Sequence, residues 1–188
     1  MRLFVAVPLP LDVASAAALA LPDIPALRRV RADLMHVTLA FLGAVPDERL
    51  DDVASAVTAA AAGARPFTIS LDGVGRFPAG EVPRVVWLGI VQGATEITDL
   101  AASVRRSLAA HRVTHDEKPF RAHVTLGRVR ENADRESARA IAAAADRVRI
   151  PAMRLTATDV VVFESTLSSN GPRYTARATV PLGVGGKS

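Results

Sequence analysis

The tetrapeptide His-Val-Thr-Leu occurs twice in this chain, at residues 36–39 and 123–126, so two of the four histidines open the same four letters. Along an extended strand, successive side chains point to opposite faces. Each copy therefore presents His and Thr on one face and Val and Leu on the other. Val37, Leu39, Val124 and Leu126 are expected against a helix-covered core. His36 with Thr38, and His123 with Thr125, are expected on the opposite side. If two similar halves of the chain carry one copy each, both pairs line one cleft. That cleft would hold two imidazoles, two hydroxyls and no carboxylate.

An imidazole ionises near neutrality, so a pair of them can take one proton and give another. Hydroxyls can donate to non-bridging phosphate oxygens, where negative charge builds up in phosphoryl transfer. The set suits metal-independent phosphodiester cleavage better than acyl transfer, which needs a nucleophile and a third group to orient the base. No G-x-S-x-G elbow is present. One copy alone would read as an ordinary strand, since Thr and Val are strand formers. Two copies in matching places of a repeated pattern are what point to function. Zinc is the competing reading, but each copy has one histidine, the chain has no cysteine, and no patterned Asp or Glu accompanies either copy. No metal and no cofactor is expected.

Arg121 lies two residues before His123 and shares its face. It is placed to bind phosphate or the next nucleotide, or to stand solvated at the strand end. Phe41 is either a stacking surface for a base or a core phenylalanine. Trp87 is expected in the core, and His111 and His115 in a solvated helix-to-strand connection. The ending GVGGKS is not a phosphate loop, because the earlier glycine that such a loop needs is Pro181 here and no helix follows Lys187-Ser188.

The elements that must carry these groups alternate between short apolar runs and alanine-rich helical runs. RLFVAV reads as a strand, and Asp12 as the N-cap of a helix over 12–21. HVTLAFL is a strand ending at Gly43, and Pro46-Asp47 opens a helix to about Ala62. FTISLDGVGRF and RVVWLGIV read as paired strands joined by PAGEVP. Residues 95–111 carry apolar positions at helical spacing (Ile97, Leu100, Ala101, Val104, Leu108). HVTLGRV is the next strand, and a helix spans about 133–145. MRLTATDVVVFES and RYTARATVPL flank Ser168-Ser169-Asn170-Gly171, in which Asn-Gly is a hairpin signal. The second half of the order roughly repeats the first, which predicts an α+β fold of two pseudo-symmetric, interleaved lobes within a single unit over 1–188. Each lobe has an antiparallel sheet covered by helices, and the active-site cleft runs between them.

The 188 residues are 49% hydrophobic and 22% charged, which suits one folded unit with a substantial core. Net charge is +4, nearly all of it from arginine, the residue that fits planar anions. The absence of cysteine fits a reducing cytoplasm. No run is apolar enough to span a membrane, and the N-terminal stretch reads as a strand rather than a signal peptide, being interrupted by Pro8, Pro10 and Asp12. The chain is expected to be cytoplasmic and monomeric.

The segments HVTLAFLG and PFRAHVTLGR resemble the two signature motifs of the 2H phosphoesterase superfamily. The branch they are similar to is the RNA 2′,3′-cyclic phosphodiesterases, also called LigT-like or 2′-5′ RNA ligase-like proteins. RLFVAVPLP, FPAGEVPRVVWLGI and FESTLSSNGPRYT resemble family segments in the same order, so the likeness covers almost the whole chain. It implies a bilobal fold and metal-free hydrolysis of a 2′,3′-cyclic phosphate end of RNA to a 2′-phosphate, with reverse 2′-5′ ligation as a further capacity. It implies His36 as proton donor to the leaving 3′ oxygen, His123 as the base that activates water, and Thr38 and Thr125 as phosphate-holding hydroxyls. Arg128 matches an arginine that follows the second motif, although strict alternation places it opposite His123, so a bulge or strand end must re-aim it. Tyr174 falls in a family-like segment near the cleft. Ala122 departs from the proline common before the second histidine. Esterases for small cyclic nucleotides or ADP-ribose cyclic phosphate, and a non-catalytic RNA-binding module, are the alternatives.

Overall fold

The computed structural model describes residues 1–169 and 171–183. The order is β1 (Arg2–Pro8), α1 (Leu11–Ala20), β2 (Leu27–Arg29), β3 (His36–Ala44), α2 (Leu50–Ala62), β4 (Phe67–Phe77), β5 (Val85–Gln92), α3 (Ala94–Ala110), β6 (His123–Val129), α4 (Arg135–Arg147), β7 (Met153–Ala157), β8 (Asp159–Ser168) and β9 (Gly171–Pro181). Short 3-10 turns at Ala32–Leu34 and Asp47–Arg49 precede β3 and α2. Among the described residues no helix is long and apolar enough to cross a membrane.

All strand pairs are antiparallel, and the strands form one curled sheet in the order β7-β4-β5-β6-β3-β1-β8-β9, with β2 added beside β6. Its two halves, β3-β1-β8-β9 and β6-β5-β4-β7, meet where β3 pairs with β6 at Val37 and Val124, the middle of the repeated tetrapeptide. Helices α2 and α3 pack on the first half and α4 and α1 on the second. The chain crosses between halves to do this. Helix α1 follows a first-half strand yet reaches β7, and α3 follows a second-half strand yet covers β3.

The hydrophobic pattern explains the placement. In α3 the buried residues are Ile97, Leu100, Ala101, Val104 and Leu108, the helical stripe read from sequence. Val37, Leu39, Val124 and Leu126 are fully buried beneath it and its neighbours. Burial of such side chains stabilises by roughly 1.5–3 kcal/mol each. Among the described residues only α4 has a side-chain cap: Asp134 accepts the Ser137 N–H at 2.7 Å. The expected cap at Asp12 is displaced, because α1 begins at Leu11 after Pro10, leaving Asp12 in the first turn.

MRLTATDVVVFES is not one strand. It breaks at Thr158, and β7 joins the second half beside β4 while β8 joins the first beside β1. Strand β2, three residues long, is too short to show a period in the sequence. The β8–β9 hairpin closes with Ser168 opposite Gly171, whose φ of 101° suits glycine. Asn170 and the residues from 184 of GVGGKS lie outside the described residues.

Candidate active site

Both tetrapeptides show the same burial sequence: half-buried His, buried Val, half-buried Thr, buried Leu. His36, Thr38, His123 and Thr125 all line one cavity of ≈ 770 Å³. The local bonding of the two histidines is also the same. His36 Nδ1 lies 2.7 Å from the Leu34 carbonyl, and His123 Nδ1 lies 2.6 Å from the Arg121 carbonyl. A carbonyl can only accept, so Nδ1 carries hydrogen in both rings and Nε2 remains for chemistry.

Beyond each tetrapeptide the strand bulges at the leucine. Thr38 pairs with Ala6 and Ala40 with Val5, leaving Leu39 without a partner on β1. Thr125 pairs with Trp87 and Gly127 with Val86, leaving Leu126 without a partner on β5. An inserted residue reverses the alternation that follows. Phe41, opposite Phe4, and Arg128, opposite Val85, therefore turn onto the histidine face, and both line the cavity. This is the re-aiming that strict alternation required for Arg128. The same event brings Phe41, 48% exposed, out of the core and into the cleft.

The rings rest against aromatic side chains. Around His36 stand Phe4 at 4.9 Å, Tyr174 at 5.5 Å and Phe163 at 6.5 Å between centroids. Around His123 stand Phe77 at 5.2 Å and Trp87 at 6.3 Å, and the Arg121 guanidinium lies 5.3 Å over the Phe77 ring. Trp87 is thus not a core residue. It shares a face with Thr125, it is only half-buried, and its indole nitrogen has no partner among the described residues. Phe4, Phe163 and Phe77 carry no signal in the sequence, because their neighbours are set by cross-strand register.

The cleft also holds a carboxylate, contrary to expectation. Asp116, from the connection between α3 and β6, accepts the Phe41 N–H at 3.3 Å and lies 3.6 Å from Arg105. Arg105 in turn donates to the carbonyl of the bulged Leu39 at 3.1 Å and to that of Lys118 at 2.7 Å. These two residues strap the connection onto the bulge of β3. His111 is half-buried and bonded to the Ser107 carbonyl at the end of α3, and neither it nor His115 lines the cavity.

Burial lowers the His36 pKa from 6.5 to about 4, with the Leu34 carbonyl opposing and the Arg128 and His123 charges adding to it. Burial and Arg128 lower His123 as well, against the Arg121 carbonyl. Burial raises the Tyr174 hydroxyl, with Arg128 opposing. Arg2, Arg105, Lys118, Arg121 and Arg128 all line the cavity, against Asp116 alone. The cleft thus disfavours a proton on either imidazole and favours an anion.

The model of the 2′-5′ RNA ligase superfamily matches residues 13–166. The chain belongs to that superfamily. An RNA 2′,3′-cyclic phosphodiesterase of Archaeoglobus fulgidus is 39% identical over 136 residues, covering 69% of this chain and 73% of its own. One from Aquifex aeolicus is 31% identical over 150 residues, covering 79% and 78%. Among solved structures, a Thermus thermophilus protein superposes with a TM-score of 0.78 at 28% identity, covering 97% of this chain and 98% of its own. Escherichia coli LigT complexed with 3′-AMP gives 0.74 at 27% identity, covering 96% and 97%. The LigT-like α+β architecture expected from the sequence is therefore the one observed.

Proposed function

We propose that this member of the superfamily hydrolyses 2′,3′-cyclic phosphate ends of RNA to 2′-phosphates without a metal ion. The observation that carries this reading is the matched pair of imidazoles. Each has its Nδ1 hydrogen committed to a carbonyl and its Nε2 open, beside one threonine hydroxyl, in a cationic cleft. The names of the similar phosphodiesterases support the substrate class.

His123 Nε2 accepts a proton from water as the water oxygen attacks phosphorus. The bond from phosphorus to the 3′ oxygen breaks, and protonated His36 Nε2 gives its proton to that oxygen. The product is a 3′-hydroxyl beside a 2′-phosphate. Thr38 and Thr125 donate to the non-bridging oxygens, and Arg128 offsets their charge. Arg121 holds the adjoining phosphate, while Phe41 and Tyr174 bracket the terminal nucleoside. Burial holds His36 predominantly neutral, so the entering phosphate must raise its pKa before it can act as donor. The same pair run backwards joins a 5′-hydroxyl to the cyclic phosphate as a 2′-5′ bond, when two RNA ends are held in line.

The test is phosphorus NMR of the product formed from a cyclic-phosphate-ended oligoribonucleotide in excess EDTA. A 2′-phosphomonoester is expected. A 3′-phosphate overturns the donor assignment, and activity lost on chelation and restored by zinc or manganese overturns metal independence.

A further inference from the structure

Beside the imidazole cleft, on the far side of Arg128, lies a second open cavity of ≈ 950 Å³. It runs between the loop after β4, strand β2 and the connection from β6 to α4. Arg28, Arg84, Arg128 and Arg130 line it, against the single carboxylate of Glu131. All four arginines are exposed.

What sets the groove apart is that four cations share one concavity with a single acid. Some arginines elsewhere stand beside acids, as Arg31 does with Asp33, Arg76 with Asp146 and Arg139 with Glu81. Among the described residues none of the four groove arginines forms an ion pair. Arg28 sits directly opposite Arg128 in the β2–β6 ladder. Like charges so placed destabilise a sheet unless an anion lies between them. Hydrogen bonds tie the groove's walls together: the Arg130 side chain donates from Nε to the Pro25 carbonyl at 2.9 Å, and the Arg84 carbonyl accepts the Val129 N–H at 2.9 Å.

Unpaired guanidinium groups spread along an open groove suit a succession of phosphates better than one phosphate. Arg128 lines this groove and the imidazole cleft alike, so the two are continuous. We infer that the groove holds the phosphodiester backbone of the nucleotides 5′ to the cyclic phosphate, making the substrate a single-stranded polynucleotide end rather than a cyclic mononucleotide. This rests on the function proposed for the cleft, since the reacting end must enter at Arg128.

The experiment compares the wild-type protein with the double variant Arg28→Gln, Arg84→Gln. Glutamine is chosen because a glutamate at position 28 would pair with Arg128 and alter the cleft. Binding of a labelled single-stranded oligoribonucleotide with a 2′-phosphate end is followed by anisotropy over a salt series. Hydrolysis of a 2′,3′-cyclic mononucleotide is measured in parallel. The variant should bind the oligonucleotide about tenfold or more weakly, the scale of removing charge-assisted hydrogen bonds. Its plot of log affinity against log salt should flatten by roughly 0.7 for each phosphate no longer neutralised. Its kcat/KM on the mononucleotide should be unchanged. Equal affinity and salt slope in the two proteins overturns the inference. So does an equal loss on the mononucleotide, or a loss confined to duplex RNA. Absence of wild-type turnover of a cyclic-phosphate-ended oligoribonucleotide sinks the proposed function, and the binding comparison then decides the groove by itself.

Discussion

Protonating His36 in the folded protein should cost enough to appear in the stability of the whole protein. Its pKa falls from 6.5 to about 4 on folding, chiefly through burial between Phe4, Phe163 and Tyr174 and beside Arg128. That is a fall of roughly 2.5 pH units, and at about 1.36 kcal/mol per unit it corresponds to ~3 kcal/mol. The folded state holds the neutral ring more favourably than the unfolded chain does. The contribution is therefore fully present above pH 6.5 and is lost as pH falls through about 4. His36→Asn keeps a nitrogen donor for the Leu34 carbonyl and removes the titration. Urea unfolding of both proteins between neutral and strongly acid pH measures the effect. The wild type should lose ~3 kcal/mol relative to the variant across this window. A difference that stays flat would refute the placement of His36 against these aromatic rings and beside Arg128. The same linkage predicts that inorganic phosphate, by bringing a negative charge to the ring, raises the His36 pKa and takes up a proton on binding. Proton NMR of the ring with and without phosphate reads this directly.

Alanine at His36 or at His123 should each lower the rate roughly 10²–10⁴-fold while circular dichroism stays native, since both rings face the cleft. Near-normal turnover in either variant would remove that histidine from the mechanism. Gly75→Ala should destabilise by about 1–3 kcal/mol, because the added Cβ would lie 2.2 Å from the Trp87 ring. Thermal unfolding measures it, and turnover should fall too, since Trp87 stands beside His123. Arg105→Met keeps the packing of the stem but removes the bonds to Leu39 and Lys118. It should raise KM more than it lowers kcat, through the bulge that aims Phe41, and Arg105→Lys should restore only part of the loss.

The grouping of imidazoles and hydroxyls in this cleft was legible because it follows from local geometry. Alternation along a strand is enough to put His36 with Thr38, and His123 with Thr125, on one face, whatever the rest of the fold does. The stripe Ile97-Leu100-Ala101-Val104-Leu108 is local in the same sense, since 3.6-residue periodicity needs no partner to define a face. Strand register is not local. The bulges at Leu39 and Leu126 exist only because β1 and β5 pair as they do, and they alone turn Phe41 and Arg128 onto the histidine face. The rings of Phe4, Phe163 and Tyr174 come from three different strands and converge on His36 through cross-strand pairing that no spacing in the chain encodes. The apolar run through Thr158 looks continuous, yet one half of the sheet takes its first part as the edge strand β7 and the other takes its second part as β8, between β1 and β9, so the run divides there. Sequence alone determined that imidazole and hydroxyl recur as a matched pair on one strand face. The tertiary structure decided what surrounds them, because pairing across the sheet sets which side chains desolvate an imidazole, aim an arginine or leave one unpaired.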